Sequence, residues 1–362
     1  MQKANHPDSK KGRGAPSNRT SLRFNLPDRE WDGDWMDGCQ VHDGGAPQLR
    51  TTVTEEHPKS ILSFNTSPDL PFDRSVNAYR GCEHGCIYCY ARPSHAFHDL
   101  SPGLDFESRL FAKPDAAKLL RKTLSKPGYR PAPIAIGTNT DPYQPIERTY
   151  RITRQILEVM AETRHPIVIT TKSAKVTDDI ALLADLAKDQ LTGVALSVTT
   201  LDAKLARILE PRASTPMKRL DAVRDLADAG IYVHVNIAPI IPAITDHEIE
   251  SIVAAAAVHG ARSISWIPIR LPHEVAPLFR NWLDMHFPDR ADKVMRIIHD
   301  LRGGKDNDPA FFSRMLGVGA WADLIRSRIR IAKAKHALDN SKWNIRSDLF
   351  VPPNCDGQLS LF

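Results

Sequence analysis

The stretch Gly81-Cys82-Glu83-His84-Gly85-Cys86-Ile87-Tyr88-Cys89-Tyr90 gathers three of the chain's five cysteines within eight residues, with the spacing C-x3-C-x2-C. Three thiolates so close together can converge on one inorganic centre, and a [4Fe–4S] cube bound by three cysteines keeps one iron open to a further ligand. Gly81 and Gly85 let the backbone bend tightly around such a centre. This loop therefore predicts an iron–sulfur cluster bound by its three cysteines.

A zinc site is the alternative for the same thiols. Structural zinc takes four protein ligands, and His84, His95 or His98 could supply the fourth. Structural zinc sites usually pair two short cysteine knuckles, whereas Cys39 and Cys355 stand alone in the sequence. The spacing favours the cluster and leaves zinc open.

Length and composition exclude several classes of protein. The chain has 362 residues, 42% apolar and 25% charged, with a net charge of +5, which is ordinary for a globular protein and permits an anionic partner. The most apolar stretch, residues 231–244, is interrupted by Pro239 and Pro242 and is too short to cross a bilayer. The start lacks an apolar leader and the thiols cluster, so we expect a cytoplasmic protein with no membrane partner.

Downstream of the cysteine loop, strand-like and helix-like segments alternate, which is typical of parallel βα units. The predicted strands are Ile134–Ile136, Pro166–Thr171, Gly193–Thr199, Ile231–Ala238 and Ser263–Ile269. The predicted helices are Arg151–Thr163, Asp178–Lys188, Asp202–Leu209, Met217–Ala229, Asp246–His259, Phe279–His286, Arg290–Leu301 and Trp321–Ala337. The fold class is α/β, a partial or full (β/α) barrel.

Composition divides the chain into four parts. Residues 1–70 are predicted to be a largely irregular extension, its first 25 or so residues disordered and its Trp31, Trp35 and Phe64 available to dock on the core. Residues 71–290 form the barrel, residues 291–350 a helical C-terminal region, and residues 351–362 a flexible tail.

The cysteine loop resembles that of the radical SAM superfamily, and the longer string Asn77–Arg92 resembles the branch that contains spore photoproduct lyase. Three further segments, Gly137–Glu147, Thr170–Ser173 and Ala238–Pro242, are similar to that branch. The resemblance implies that Cys82, Cys86 and Cys89 bind a [4Fe–4S] cluster whose open iron binds S-adenosylmethionine (SAM). It also implies a 5′-deoxyadenosyl radical and an electron donor such as flavodoxin or ferredoxin.

The resemblance also assigns cofactor-binding residues. Tyr88 is expected near the adenine of SAM, and Thr140, Lys172 and Ser197 near its methionyl and ribose groups. Asn236, midway along an apolar strand, is a further candidate because a buried amide needs hydrogen-bond partners. The alternatives are core packing for Tyr88, a solvated helix start for Lys172, and a loop carbonyl as the partner of Asn236.

Two tyrosines flanking the third cysteine, Tyr88 and Tyr90, are the catalytic candidates by resemblance to the lyase. The hydrogen-donating cysteine of the lyase is replaced here by Thr138, whose O–H bond is too strong to donate a hydrogen atom readily. We therefore expect a different substrate, hydrogen return from SAM, or a donor such as Tyr90 or Cys355. Past the same strand, a polar string is interpreted as substrate contacts, with a capped turn as the alternative. It consists of Asp141, Tyr143, Gln144 and Glu147.

Two features point towards DNA. Arg326, Arg330 and Lys333 share one helix face that could track phosphates, with a solvated face as the alternative. Gln358–Phe362 (Gln-Leu-Ser-Leu-Phe) resembles the pentapeptide by which bacterial repair proteins dock on the DNA sliding clamp, with docking back on the barrel as the alternative.

The leading hypothesis is a radical SAM enzyme acting on DNA, as a lyase or in repair. One alternative keeps the radical chemistry and moves it to RNA or protein. The other is a zinc-stabilised nucleic-acid-binding module without catalysis.

Overall fold

A computed structural model describes residue 10 and residues 12–24, 49–338 and 344–353. The strands are β1 (Thr52–Glu55), β2 (Leu62–Phe64), β3 (Arg74–Val76), β4 (Tyr79–Arg80), β5 (Arg109–Ala112), β6 (Ile134–Ile136), β7 (Ile167–Thr171), β8 (Thr192–Ser197), β9 (Tyr232–Ile240) and β10 (Ser263–Pro268). The α-helices are α1 (Asp105–Ser108), α2 (Ala116–Leu124), α3 (Glu147–Tyr150), α4 (Ile152–Glu162), α5 (Ile180–Lys188), α6 (Ala203–Leu209), α7 (Pro216–Asp228), α8 (Ile249–Val258), α9 (Val275–His286), α10 (Ala291–Leu301), α11 (Ser313–Leu316) and α12 (Gly319–Lys335). Short 3-10 helices cover Leu22–Phe24, Arg92–His98, Ala174–Asp179, Asp246–Glu248 and Pro288–Arg290.

The larger sheet has the strand order β10-β9-β8-β7-β6-β3-β2. Every pair from β3 to β10 is parallel, and β2 runs antiparallel to β3 at the edge. Six parallel strands in consecutive order form a (β/α) barrel wall. Within the described residues no ladder joins β10 back to β2, so the predicted barrel is confirmed in its partial form. A smaller sheet has the strand order β1-β5-β4. Its strand β1 comes from the N-terminal extension, and β4 and β5 come from the long connection between β3 and β6.

Local periodicity explains why these segments form helices and strands. In α4 the residues Ile152, Ile156, Leu157 and Met160 recur at helical spacing and are all buried. All six residues of β8 are buried, as expected for a central strand covered on both faces. Along α6, the Asp202 carboxylate accepts the backbone N–H groups of the first turn and caps the helix. The predicted strands and helices from β6 to α12 are confirmed, with ends that differ by a few residues.

The sequence pattern did not reveal β3, the strand that leads into the cysteine loop. It is three residues long, and Arg74 and Ser75 hide any apolar run. Backbone pairing with β6, from Arg74 opposite Ile134 to Val76 opposite Ile136, identifies it as a barrel strand. Because the cysteine loop follows this strand, it lies at the carboxyl edge of the sheet, where the loops after β6 to β10 also gather.

The expected disordered arm is wrong for residues 12–24. The backbone N–H groups of Gly14 and Ala15 donate to the buried Glu107 carboxylate at 2.8 and 2.7 Å. Further along, Ser21 and Arg23 both donate to Glu274. This segment therefore packs under the cysteine loop. The predictions on Trp31, Trp35, Cys39, Cys355 and Gln358–Phe362 fall outside the described residues, and the domain boundaries at residues 70, 290 and 350 stay predictions.

The C-terminal region is helical, as expected, and α12 packs on α8. Its predicted basic stripe is not presented to solvent as a unit. Lys333 is half-buried and donates to the Ile264 carbonyl at 3.3 Å, and Arg326 pairs with Asp323 three residues earlier. Arg330 remains exposed. Within the described part of the chain, no helix has both the length and the apolar character needed to cross a membrane.

Candidate functional site

The cysteine loop needs glycine at two positions. Gly81 and Gly85 have φ values of +72° and +68°, in the left-handed region that side chains disfavour. A Cβ atom on Gly81 would lie 2.8 Å from the Phe106 carbonyl oxygen, and one on Gly85 would lie 2.7 Å from the Glu107 carboxylate. Larger residues would push the loop away from its support.

A buried ion pair supports the loop from below. The Arg92 guanidinium donates to the carbonyl oxygens of Cys86 at 2.9 Å and Gly85 at 3.1 Å, and it pairs with Glu107. Both side chains are fully buried. A guanidinium has five N–H donors in a rigid fork, so a single Arg92 can bind several loop carbonyls at once. Arg92 thus holds the backbone on which the second and third cysteines sit.

From above, the loop after β6 binds the same backbone. The Thr140 hydroxyl donates to the Gly81 carbonyl at 2.6 Å, and the Gln144 side chain donates to Thr140 at 2.9 Å. The Gln144 carbonyl in turn accepts the N–H of Glu83 at 2.9 Å. Thr140 therefore braces the cysteine loop in this structure, where the sequence assigned it to SAM.

The rest of the predicted polar string also bonds within the protein. Asp141 accepts from the Thr171 hydroxyl and the Lys172 N–H, each at 2.7 Å, and lies 3.3 Å from the His84 ring. Burial alone would raise the pKa of Asp141, but His84 and these donors lower it to about 2. Tyr143 donates to Asp179, and Glu147 accepts from Tyr79. These bonds fit the capped-turn interpretation, and the role of the string in substrate binding stays a prediction.

Replacing Thr140 with valine tests the bracing role. We expect cluster iron to be lost to a chelator several-fold faster, because one buried hydrogen bond, worth about 1 kcal/mol, is removed and the Gly81 carbonyl keeps only the longer bond from the Gln144 side chain at 3.3 Å. The KM for SAM should stay near its wild-type value, and Thr140→Ser should restore the rate of iron loss. A large rise in KM for SAM with normal iron retention would instead support the cofactor role.

The three cysteines are free thiols gathered in a poorly solvated place. Cys82 and Cys86 are buried, and Cys89 is half-buried. Burial raises the pKa of each thiol, and the neighbouring cysteines raise that of Cys82 further. Three thiolates are therefore stable here only beside a strongly cationic centre. Soft sulfur donors on a constrained loop fit an iron–sulfur cluster, which provides that charge.

The three histidines that could complete a zinc site have other partners in this structure. Among the described residues no three His, Cys, Asp or Glu side chains are arranged to hold one metal ion. His84 faces Asp141, and the His95 ring bonds the Arg109 carbonyl at 2.8 Å. The His98 ring lies against Phe111, with 4.9 Å between ring centroids. A cluster makes a different demand, since each cysteine binds a different iron.

Beside the thiols, Glu210 organises a network that the sequence did not indicate. Its fully buried carboxylate pairs with Arg219, accepts from the Tyr88 hydroxyl, and accepts from Thr199 at 2.8 Å. The Lys172 ammonium lies 3.8 Å from the same carboxylate and 5.8 Å from the centre of the Tyr88 ring. Tyr88 and Lys172, both predicted to bind SAM, are thus brought together next to the cysteine loop.

The other two predicted cofactor ligands lie in one row across the sheet. Ser197, Asn236 and Ser265 are register partners on β8, β9 and β10. The Asn236 side chain accepts from the Ser265 hydroxyl at 2.6 Å, and the Ser197 carbonyl accepts from Arg219 at 2.9 Å. Asn236 alternates with buried Val235 and Ile237, so it occupies the other face of its strand. A neighbouring strand, not the loop carbonyl, is its partner.

Tyr90 lies at the open end of the site. Its side chain is 54% exposed, and its hydroxyl donates to the Thr138 carbonyl. The Thr138 hydroxyl is itself held by Asn77 at 3.2 Å. The structure therefore places Tyr90 next to the residue that replaces the expected cysteine, in a position that a substrate can reach.

Electrostatic interactions connect Tyr90 to Arg270 and Arg270 to Arg314, which lies in a segment that also carries two phenylalanines. Arg270 follows β10, interacts electrostatically with Tyr90, and its buried Nε atom has no hydrogen-bond partner. Burial and the neighbouring Arg314 lower the pKa of Arg270. Arg314 binds Asp69 and lies 4.9 Å from the Phe311 ring, and Phe312 is 61% exposed at a φ of +66°. We call Tyr90, Arg270, Phe311, Phe312 and Arg314 the mouth group.

Fold and site together define the class: an α/β-barrel protein with a thiol-lined site at the carboxyl edge of its sheet. The model of the Radical SAM superfamily matches residues 76–256. The chain belongs to the radical SAM superfamily. That membership implies a [4Fe–4S] cluster and SAM as cofactors.

Several relatives and one solved fold are similar to this chain. An uncharacterised protein of Mycobacterium tuberculosis is 35% identical over 321 residues, covering 84% of this chain and 91% of the relative. A radical SAM Nα-GlyT isomerase of Pseudomonas phage M6 is 25% identical over 167 residues, covering 46% of this chain and 33% of that protein. Spore photoproduct lyase complexed with dinucleoside spore photoproduct has the same fold, with a TM-score of 0.55 and 15% identity over 78% of this chain and 79% of the lyase.

Proposed function

We propose that this protein is a radical SAM enzyme that binds a [4Fe–4S] cluster through Cys82, Cys86 and Cys89 and modifies a nucleic acid, with DNA as the favoured substrate. When bound, the cluster and SAM together supply a 5′-deoxyadenosyl radical that abstracts a hydrogen atom. Support for the cofactor half comes from family membership and from three buried thiols on a braced loop.

Lys172 is the residue best placed to hold the SAM carboxylate. Its ammonium donates to the Ala238 carbonyl at 3.3 Å, which leaves two of its three N–H donors for a ligand. The Glu210 carboxylate lies 3.8 Å from this ammonium, at the inner end of the site. Tyr88, tied to Glu210 through its hydroxyl, presents its ring to the same space and orients the cofactor.

Tyr90 is the candidate that acts on the substrate radical. Its phenol is exposed beside Thr138, which has no thiol to donate a hydrogen atom. A phenolic O–H is a weaker bond than the threonine O–H, so Tyr90 is the better donor of the two. Its hydroxyl is held in place by the Thr138 carbonyl.

The mouth group is the observation that supports a nucleic-acid substrate. A guanidinium without an ion pair among the described residues suits a phosphate, and exposed phenyl rings suit the faces of unstacked bases. Phe312 holds an exposed ring on a left-handed backbone, a strain that proteins keep at functional positions. The lyase of the same fold is complexed with a dinucleoside, and we propose a related substrate here.

Replacing Arg270 with glutamine should weaken the binding of single-stranded DNA about tenfold and reduce the slope of log affinity against log salt by about 1, the loss of one phosphate contact. Fluorescence anisotropy with a labelled oligonucleotide measures both quantities. Arg330→Gln on α12 is the matched control and should change neither. If Arg330→Gln weakened binding and Arg270→Gln did not, the DNA phosphates would bind along α12, and the proposed role of the mouth group would be wrong.

Anaerobic reconstitution, followed by reduction with dithionite in the presence of SAM, tests the function as a whole. We expect 5′-deoxyadenosine that depends on the cluster, and faster formation with a DNA substrate than with RNA or a peptide. Stoichiometric zinc without deoxyadenosine would contradict the radical chemistry. Faster formation with RNA or a peptide would contradict the DNA assignment alone. Docking of Gln358–Phe362 on the sliding clamp and a cytoplasmic location stay predictions.

A further inference from the structure

A cleft of about 530 Å³ lies against the cysteine loop. Its walls come from the loop after β6, helices α3 and α4, the start of the 3-10 helix after β7, and the segment that leads into α7. It shares no lining residue with the mouth group. The charged residues that line it are Glu147, Arg148, Arg151, Arg154, Lys175, Asp178, Asp179, Arg212 and Lys218.

The cleft is basic because its carboxylates already have partners within the protein. All three lining carboxylates are engaged inside the protein: Glu147 by Tyr79, Asp178 by Lys175, and Asp179 by Tyr143 and Arg154. Three of the lining cations are exposed and have no ion pair among the described residues: Arg148, Arg151 and Lys218.

The cleft reaches the cysteine loop directly. His84, between the first and second cysteines, is one of its lining residues. The backbone N–H of Arg212 donates to the His84 carbonyl at 3.3 Å, and the Arg212 guanidinium pairs with Glu83 at 2.9 Å. The cleft therefore opens onto the loop that carries the thiols. It shares no lining residue with the mouth group, where we propose that the substrate enters.

We propose that this cleft is the docking site of an acidic one-electron carrier protein that reduces the cluster, an inference that rests on the proposed function. One electron leaves the reduced flavin or iron–sulfur centre of the carrier and enters the oxidised cluster, and no bond is made or broken. Three unpaired cations around a concave entrance complement a carboxylate-rich surface, which favours rapid and salt-sensitive association. Arg148, Arg151 and Lys218 are the contacts that select this partner.

The test uses the cluster-loaded protein and a bacterial flavodoxin as the probe. The variant Arg148→Glu/Arg151→Glu/Lys218→Glu reverses the cleft's unpaired charges. The matched control, Arg326→Glu/Arg330→Glu/Lys335→Glu, makes the same change in net charge on α12, which does not line the cleft. Calorimetry measures the flavodoxin Kd, stopped-flow absorbance measures cluster reduction by reduced flavodoxin, and a parallel assay uses dithionite.

We expect the cleft variant to bind flavodoxin at least about tenfold more weakly and to be reduced about 10- to 100-fold more slowly at low salt. Reduction of the wild-type cluster by flavodoxin should slow as salt rises, and the rates of the wild type and the cleft variant should become equal at high salt. Deoxyadenosine formation with dithionite should be equal in all three proteins. Unchanged flavodoxin binding by the cleft variant, or an equal loss in the control, would overturn the docking site. A cleft variant whose flavodoxin binding is weakened only when DNA competes would overturn it as well.

The two proposals fail in different ways. If the wild type bound flavodoxin through the cleft but made no deoxyadenosine with dithionite, the proposed radical chemistry would be wrong and the docking surface would stand. If dithionite supported deoxyadenosine formation and flavodoxin did not bind at the cleft, the docking surface would be wrong and the proposed radical chemistry would stand.

Discussion

Replacing any one of Cys82, Cys86 and Cys89 with alanine will reduce the iron and sulfide retained after anaerobic reconstitution to below about a tenth of the wild-type content, because a cubane cluster bound by three cysteines has no spare protein ligand. Among the described residues, the two histidines nearest in sequence have other partners, since His84 faces Asp141 and the His95 ring is bonded to a backbone carbonyl. Deoxyadenosine formation should be lost with the cluster. Iron and sulfide analysis and the visible absorbance of the cluster measure the effect.

Cys39→Ala is the control, because Cys39 is outside the proposed loop in sequence and is treated as an ordinary free thiol. It should retain full iron, full sulfide and full deoxyadenosine formation. Circular dichroism should show that all four variants remain folded. A triple cysteine variant with full iron and sulfide content would end the assignment of the cluster to this loop.

Replacing Glu210 with glutamine will lower the free energy of unfolding by about 3–5 kcal/mol, because it leaves the Arg219 guanidinium buried without its counter-ion. Arg219 is fully buried and has Glu210 as its charged partner. The same change replaces the charged acceptor of the Tyr88 hydroxyl with a neutral one and removes the anion beside Lys172, so we also expect a higher KM for SAM. Urea unfolding of the cluster-free protein, followed by far-UV circular dichroism, measures the stability.

Lowering the pH should reduce the difference in free energy of unfolding between the wild type and Glu210→Gln. Burial would raise the pKa of Glu210, but Arg219 and Lys172 lower it to about 2. A carboxylate with a lowered folded-state pKa stabilises the protein above its ordinary pKa, and that stabilisation is lost as the pH falls towards the folded value. The gap between wild type and Glu210→Gln should therefore shrink from about pH 5 to pH 2.

Two variants make the interpretation decisive. Glu158→Gln removes an exposed glutamate that also pairs with an arginine, and it should cost less than about 1 kcal/mol. The double variant Glu210→Leu/Arg219→Met removes both buried charges and should recover much of the lost stability. A Glu210→Gln protein as stable as wild type, or a double variant less stable than the single one, would contradict the buried-pair account.

Much of the fold could be predicted because its signals are local. Apolar residues at helical spacing predicted α4, and a short apolar run predicted β7. The two errors have different causes. β3 is too short and polar to stand out, and residues 12–24 are held by distant carboxylates, Glu107 on the backbone of Gly14 and Ala15 and Glu274 on Ser21 and Arg23. A carboxylate 93 residues away from Gly14 cannot be seen in the composition of that segment.

The site divides in the same way. Local spacing predicted the three cysteines as a unit, and the resemblance predicted Tyr88 and Lys172 as cofactor residues, which the structure brings together at Glu210. The sequence could not show that Thr140 donates to the Gly81 carbonyl, that Arg270 interacts electrostatically with Tyr90, or that a basic cleft is lined by His84. Each of these depends on which loops meet at the carboxyl edge of the sheet.

The sequence by itself determined the cysteine spacing, the order of strands and helices, and membership of the radical SAM superfamily, because these are properties of residues close together along the chain. Only the tertiary structure decided that Glu210 joins Tyr88, 122 residues earlier, to Arg219 and Lys172. The reason is physical: a buried charge is stable only where the packed sheet brings its partners to it, and that packing is set by the whole chain.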